Sequence, residues 1–267
     1  NESETVTKWI LRQVALESKM PEQFALRKKK AAQYGSRTQH AIKKLAKQQG
    51  NKSSSEYLAQ FYQSSKGKKP NLKLGILTSG GKDSISAALI MHKQNYKLQC
   101  LITLKSKNPD SYMFQTAGTD IVPLQAKAMN IPLITKTTKG IKEAELKDLK
   151  AAIRKAKNLH NIDAIVTGAL FSSYQRDRIE QICEELNLKI FSPLWHKPQE
   201  THMQEVIKNN IKAIICKVAA DGLDESWLGR EINQEMTEEL HLLHKKNRIN
   251  IAFEGGEAET IVLDCPL

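Results

Sequence analysis

The sequence predicts an α/β protein: a doubly wound parallel sheet, followed by a smaller C-terminal α+β domain and preceded by a basic, mainly helical arm. Three observations predict it. From residue 71, short apolar runs alternate with longer segments of helical periodicity, and a Ser/Gly-rich loop joins the first run to the first helix. The charge is also uneven: of a formal +12, residues 1–70 hold 15 basic side chains against 5 acidic ones, a net +10, so the body carries only +2.

Within the arm, residues 7–16 and 22–47 place Trp9, Ile10, Val14, Phe24, Leu26, Ile42 and Leu45 at loose helical spacing. Pro21 suits a first helical turn, and Gly35 breaks or bends the second segment. Residues 50–55 read as a loop and 64–70, rich in Ser, Lys and Gly, as a linker. The domains expected are therefore 1–70, 71–197 and 198–267. The arm's charge, with the run Arg27-Lys28-Lys29-Lys30, fits phosphate contacts on RNA or the ribosome. It fits equally a helical arm whose lysines are solvated and whose Trp9, Phe24 and Tyr34 pack on the body.

In the body, strands are expected over 72–78, 98–104, 133–136, 164–167 and 189–192, with helices over 84–94, 121–129, 143–160 and 175–186. After Pro193-Leu194-Trp195 the pattern changes to an apolar run at 211–218, a helix over 231–247 and short runs at 249–253 and 260–263. A parallel sheet binds its ligand at the carboxyl ends of its strands.

The loop there is Ser79-Gly80-Gly81-Lys82-Asp83-Ser84. Two glycines let the backbone approach an anion, the helix start adds N–H groups and partial positive charge, and Lys82 with the hydroxyls of Ser79 and Ser84 adds donors. It is not the common P-loop, because Gly81 stands where that motif needs lysine and Lys82 comes one residue late. Three further segments carry chemistry. Residues 168–178 follow the fourth strand; Gly168 permits close backbone approach and Arg178 suits a phosphate or carboxylate, although a capped helix start with solvated arginines gives the same pattern. Residues 108–116, with Tyr112, Met113 and Phe114, line a pocket mouth or cover the core beneath a loop. Glu254, Glu257 and Glu259 surround the diglycine Gly255-Gly256; their mutual repulsion calls for Mg²⁺, ammonium or a basic substrate group, unless the turn is simply solvated.

Composition narrows the class. With 40% hydrophobic and 26% charged residues the chain is ordinary for a globular protein, and no apolar run approaches the ~18 residues of a membrane span. With no signal-peptide pattern, this predicts a cytoplasmic protein without membrane contact. Cys100, Cys183, Cys216 and Cys265 are dispersed and form neither a redox pair nor a zinc site. The Asn at position 1 and the end just after an apolar run read as those of a processed or shortened chain.

The S-G-G-x-D-S loop after an apolar strand resembles the pyrophosphate loop of the ATP pyrophosphatases. Together with residues 110–116, 168–178, 192–195, 221–230 and 254–264, it makes residues 71–267 similar to the diphthine–ammonia ligase family. That resemblance implies an adenine-nucleotide hydrolase-like (HUP) fold and amidation of diphthine on translation elongation factor 2 through an acyl-adenylate, with ATP, Mg²⁺ and ammonium. It implies ATP contacts at Ser79, Gly80, Gly81, Lys82, Asp83, Ser84, Gly168 and Arg178. Catalytic work would fall to Lys82, Asp83, Glu254, Glu257 and Glu259, with Asp83 also the metal ligand. Substrate contacts would fall to Tyr112, Tyr174, Gln175, Trp227 and Arg230. The competing readings are a tRNA-modifying ATP pyrophosphatase that adenylates a base, and an RNA-binding protein with a vestigial nucleotide domain, which would predict a damaged loop.

Overall fold

The computed structural model describes residues 9–26, 38–66, 72–108, 117–141 and 143–267. The run Arg27-Lys28-Lys29-Lys30, Tyr34, the linker residues 67–70, and Tyr112 with the rest of 109–116 lie outside the described residues. The chain forms two compact units, Asn1–Pro70 and Asn71–Leu267.

The first unit contains α1 (Trp9–Glu17), α2 (Glu22–Ala25), α3 (Thr38–Gln48) and α4 (Ser54–Lys66). The last of these extends into residues 64–66, where a linker is expected. Its start is fixed by side chains: the Ser53 hydroxyl accepts the Glu56 N–H at 3.0 Å while the Glu56 carboxylate takes the Lys52 N–H at 2.7 Å, so two donors at the helix start are satisfied. Ala46 of α3 and Tyr57 of α4 are buried, whereas Lys43, Lys44 and Lys47 face solvent.

The second unit is built on five parallel strands, β1 (Lys73–Leu77), β2 (Lys97–Ser106), β3 (Leu133–Thr138), β4 (Ala164–Val166) and β5 (Lys189–Phe191), in the order β3-β2-β1-β4-β5. Alternation along the strands divides the core in two. Leu74, Ile76, Leu101, Ala164 and Val166 pack with α5 (Lys82–Lys93) and α6 (Val122–Ala128); Ile102, Leu104 and Ile165 pack with α7 (Glu145–His160) and α8 (Ser173–Glu185). Both faces of the sheet are covered, which is why its strands read as continuous apolar runs. The strand order reverses at β1 and β4, so a crevice opens beyond their carboxyl ends.

A second sheet pairs β6 (Lys212–Val218) antiparallel with β7 (Ala258–Asp264). The helices α9 (Gln199–Lys208) and α10 (Gln234–Asn247) bury Met203, Val206, Met236 and Leu240 in the first core cluster. Helix α9 lies where no element is expected from sequence. The helix expected over 231–247 starts later, because the Asn233 side chain caps it by accepting the Met236 N–H at 2.9 Å. Ile249, Ile251, Ala252 and Phe253 are buried but the segment forms a turn: the Asn250 side chain accepts the N–H groups of Ala252 and Glu254, and Phe253 has φ +64°.

Gly168, just beyond β4, brings that strand against the start of α5. A Cβ there would lie 2.7 Å from the Asp83 carbonyl carbon and the Ser84 nitrogen, both backbone atoms with little room to yield. Gly168→Ala is therefore expected to lower stability by about 1–3 kcal/mol in urea denaturation. An unchanged midpoint would contradict the close approach.

Candidate active site

Residues 79–84 turn from β1 into α5 at the floor of a cleft of about 680 Å³. Gly80 takes φ +86°, a conformation in which a side chain is strained, and a Cβ there would also meet the Gln125 Oε1 at 2.9 Å. The Thr78 hydroxyl accepts the Gly80 N–H at 2.9 Å and pairs with the Ser84 hydroxyl at 2.8 Å. The loop is also held from outside. Gln125 of α6 donates to the carbonyls of Gly80 and Val262 at 3.0 and 2.7 Å, the Val262 N–H donates to the Gly80 carbonyl at 2.9 Å, and the Lys82 N–H donates to the Thr260 hydroxyl at 3.2 Å. Strand β7 thus fastens the smaller sheet onto the loop.

The Lys82 side chain runs inward and is 1% exposed. Its ammonium meets both Asp83 oxygens at 2.9 Å and the Ala252 carbonyl at 2.7 Å. Fully buried His202, on α9, places Nε2 2.6 Å from the Asp83 Oδ1, while its Nδ1 has no partner. Burial pushes the Asp83 carboxyl up, but the Lys82 charge and the His202 contact outweigh it and hold the group at about 2. Asp83 is therefore an anion at neutral pH, and His202 donates Nε2–H to it.

The three glutamates separate. Glu254 lines the cleft and accepts the Phe171 N–H at 3.3 Å; burial and then the nearby Asp83 charge raise its carboxyl to about 7, with Lys82 pulling the other way. Glu259 also lines the cleft, with one oxygen on the Ala117 N–H at 2.8 Å and the other 3.4 Å from the Lys217 ammonium. Glu257 does not line it. Its oxygens accept the N–H groups of Asn250 and Gly255, at 3.0 and 2.8 Å, and so brace the turn that carries Glu254.

Ser79, Ser84, Gly168, Tyr174 and Gln175 line the cleft as well. Arg178 instead stacks 3.5 Å from the Tyr174 ring centre and pairs with Glu143, which also accepts the Tyr174 hydroxyl. The cleft is open to Tyr174, not to the guanidinium behind it. Trp227 is buried in the core and carries Arg230 4.4 Å from its ring centre, with Arg230 paired to Glu239; neither lines the cleft.

Reading the sequence misses His202, Gln125, Thr260 and Lys217. His202 sits among the apolar positions Met203 and Val206 and looks like a core residue; Gln125 and Thr260 are ordinary members of a helix and a strand. Only the fold brings them to the loop.

The site fits a polyphosphate. The start of α5 carries no side-chain cap, and its residues Lys82, Asp83 and Ser84 line the cleft together with Ser79, so the positive end of the helix dipole lies at the wall of the space a phosphate would fill. It does not form a protein cage for a metal: among the described residues no group of three His, Cys, Asp or Glu side chains converges, and both Asp83 oxygens already face Lys82. A divalent ion would fit as one borne chiefly by phosphates, with Asp83 as its protein contact.

Comparison with known proteins identifies the family. The family models "Diphthamide synthase N-terminal domain" and "Diphthamide synthase C-terminal domain" match residues 72–190 and 198–267. A Bos taurus diphthine–ammonia ligase is 37% identical over 215 residues, covering 73% of this chain and 80% of that one. The Homo sapiens protein of the same name is 36% identical with the same coverage. That of Schizosaccharomyces pombe is 36% identical over 207 residues, 72% of this chain and 34% of its own. With both family domains matched in order and relatives at 36–37% identity over most of its length, this chain belongs to the diphthine–ammonia ligase (diphthamide synthase) family.

Proposed function

We propose that the cleft amidates diphthine to diphthamide on translation elongation factor 2, forming a C–N bond at the cost of ATP cleavage to AMP and pyrophosphate. The observation that carries this reading is the intact 79–84 loop opening α5 at the sheet's reversal point, in a chain of this family.

The chemistry divides into two displacements. A diphthine carboxylate oxygen attacks the α-phosphorus of ATP, its bond to the bridging oxygen breaks, and pyrophosphate leaves. Ammonia nitrogen then attacks the acyl carbon, AMP leaves, and the nitrogen loses a proton. Mg²⁺, bound with the phosphates and touching Asp83, would supply charge neutralisation when present. The uncapped start of α5 orients the phosphates, while Lys82, tied to Asp83 and Ala252, keeps the loop's net charge from turning negative. Glu254 is the base that takes the proton from ammonium or its adduct, its carboxyl at about 7 being poised for transfer near neutral pH. Glu259 offers the second carboxylate for ammonium, and Glu257 positions the turn. Tyr174 and Gln175 face the incoming protein, whose location puts the reaction in the cytoplasm. Among the described residues, no helix is long and apolar enough to cross a membrane.

Base adenylation on tRNA followed by sulfur transfer has less support. The Cys100 and Cys183 thiols are pushed by burial to about 12 and that of Cys216 to about 11, the wrong direction for nucleophilic sulfur. The basic first unit suits RNA or ribosome contact, and the solvent-facing Lys43, Lys44 and Lys47 of α3 are accessible to it, as they equally are in an arm whose lysines are only solvated.

Chromatography of the nucleotide products tests the reaction: AMP should form in step with amide, and ADP formed at that rate would overturn the reading. The pH dependence tests the base. A carboxylate that must be ionised makes the rate of amide formation, at constant un-ionised ammonia, rise with pH up to about 7 and level off above. Glu254→Gln should remove that limb and slow amide formation about 100-fold, and an unchanged profile would exclude Glu254. The first unit is tested by RNA titration. If about six of its charges meet phosphates, log K should fall with log salt at a slope of roughly −5, and a chain starting at residue 71 should lose that dependence. Equal, weak binding by both chains would exclude the role.

A further inference from the structure

A charge inventory of the cleft shows a shortage. Three carboxylates line it, Asp83, Glu254 and Glu259, and among its described lining residues the cations are Lys82 and Lys217. Lys82 is not available to a ligand as it stands, because it is 1% exposed and three oxygens surround its ammonium. A polyphosphate entering this cleft would bring several further negative charges. Lys217 is the cation able to meet them.

Its setting suits that task. Lys217 lies on β6 directly across the ladder from Glu259 on β7, and the next β7 residue, Thr260, accepts the Lys82 N–H. Two residues further on, Val262 bonds the Gly80 carbonyl. The lysine is thus mounted on the sheet that is fastened to the loop. Its side chain is 40% exposed, and its contact with Glu259 is long, 3.4 Å, whereas Glu259 is itself fixed by the Ala117 N–H at 2.8 Å. The lysine end of this pair is exposed and the contact is long, so it contributes little and is readily exchanged for a better anion. A long, flexible lysine stem can make that exchange while Glu259 stays in place.

We propose that Lys217 is a polyphosphate ligand of this cleft, resting on Glu259 until nucleotide enters and then moving onto the phosphates. This rests on the reading of the cleft as the ATP site. The move also releases one Glu259 oxygen, so that occupation by ATP itself exposes the carboxylate proposed for ammonium. The two co-substrates would then bind in order, nucleotide first.

The test is calorimetric titration of the full chain with ATP, pyrophosphate and AMP. Lys217→Met should weaken ATP and pyrophosphate about tenfold or more while leaving AMP within about twofold, as expected for loss of a charge-assisted contact to the outer phosphates. Lys217→Arg should restore most of the affinity. Glu259→Gln should bind pyrophosphate at least as tightly as the wild type, because it removes the resting partner and a repelling charge. Thermal unfolding without nucleotide should be nearly unchanged in Lys217→Met. Unchanged affinities for all three ligands in Lys217→Met would overturn the proposal, and so would a defect confined to the KM for the protein substrate, which would assign the lysine to the diphthine carboxylate. Gly80→Val separates the two readings: if it abolishes ATP binding while Lys217→Met does not alter it, only the lysine's role falls. If the wild type itself fails to bind ATP, both fall.

Discussion

The buried ammonium of Lys82 joins parts of the body that are far apart in sequence. It lies between the Asp83 carboxylate, one residue away, and the Ala252 carbonyl, 170 residues away, and Asp83 in turn receives His202 from 119 residues away. A lysine with so little exposure is costly unless its charge is met, and the part-buried Asp83 carboxylate on the cleft wall meets it. The loop at the end of β1, the turn that carries Glu254 and helix α9 are therefore bound by one electrostatic requirement. Acid loosens it in a defined direction: the Asp83 carboxyl is held below its ordinary 3.8, at about 2, so its contribution is full above that ordinary value and is lost as pH falls towards 2.

The same network orders the electrostatics of the cleft. Because Lys82 and His202 keep Asp83 ionised, its charge adds to burial in raising Glu254 to about 7. Two carboxylates that line the same cleft have opposite shifts, one fixed as an anion and the other able to exchange a proton near neutral pH. Such a pair is a recognised basis for dividing structural from acid–base work. Glu257, whose oxygens hold backbone N–H groups, stands apart from this pair, so three similar residues around one diglycine occupy three different settings.

Features that depend on local chemistry were legible in the sequence. The alternating strands and helices, the 79–84 loop and the chain's membership of its family follow from runs of neighbouring residues, and the parallel sheet with its crevice agrees with them. What escaped depends on distance. His202 reads as a core residue because nothing near it in sequence is charged in the right place, and Lys217 reads as a polar strand residue until β7 lies beside it. Residues 249–253 look like a strand because they are apolar, whereas Asn250 turns them through its side chain. Arg178 looks like an anion ligand until Glu143 is found to hold it, a partner 35 residues away on the approach to α7.

The central claim is that this cleft converts a carboxylate on a protein histidine to an amide. Mass spectrometry of diphthine-bearing elongation factor 2, after incubation with the full chain, ATP and heavy-nitrogen ammonium, tests it most directly. The account predicts heavy nitrogen in the modified histidine, dependent on ATP and accompanied by equal AMP. An unlabelled, unchanged histidine under conditions in which the chain binds and cleaves ATP would contradict it.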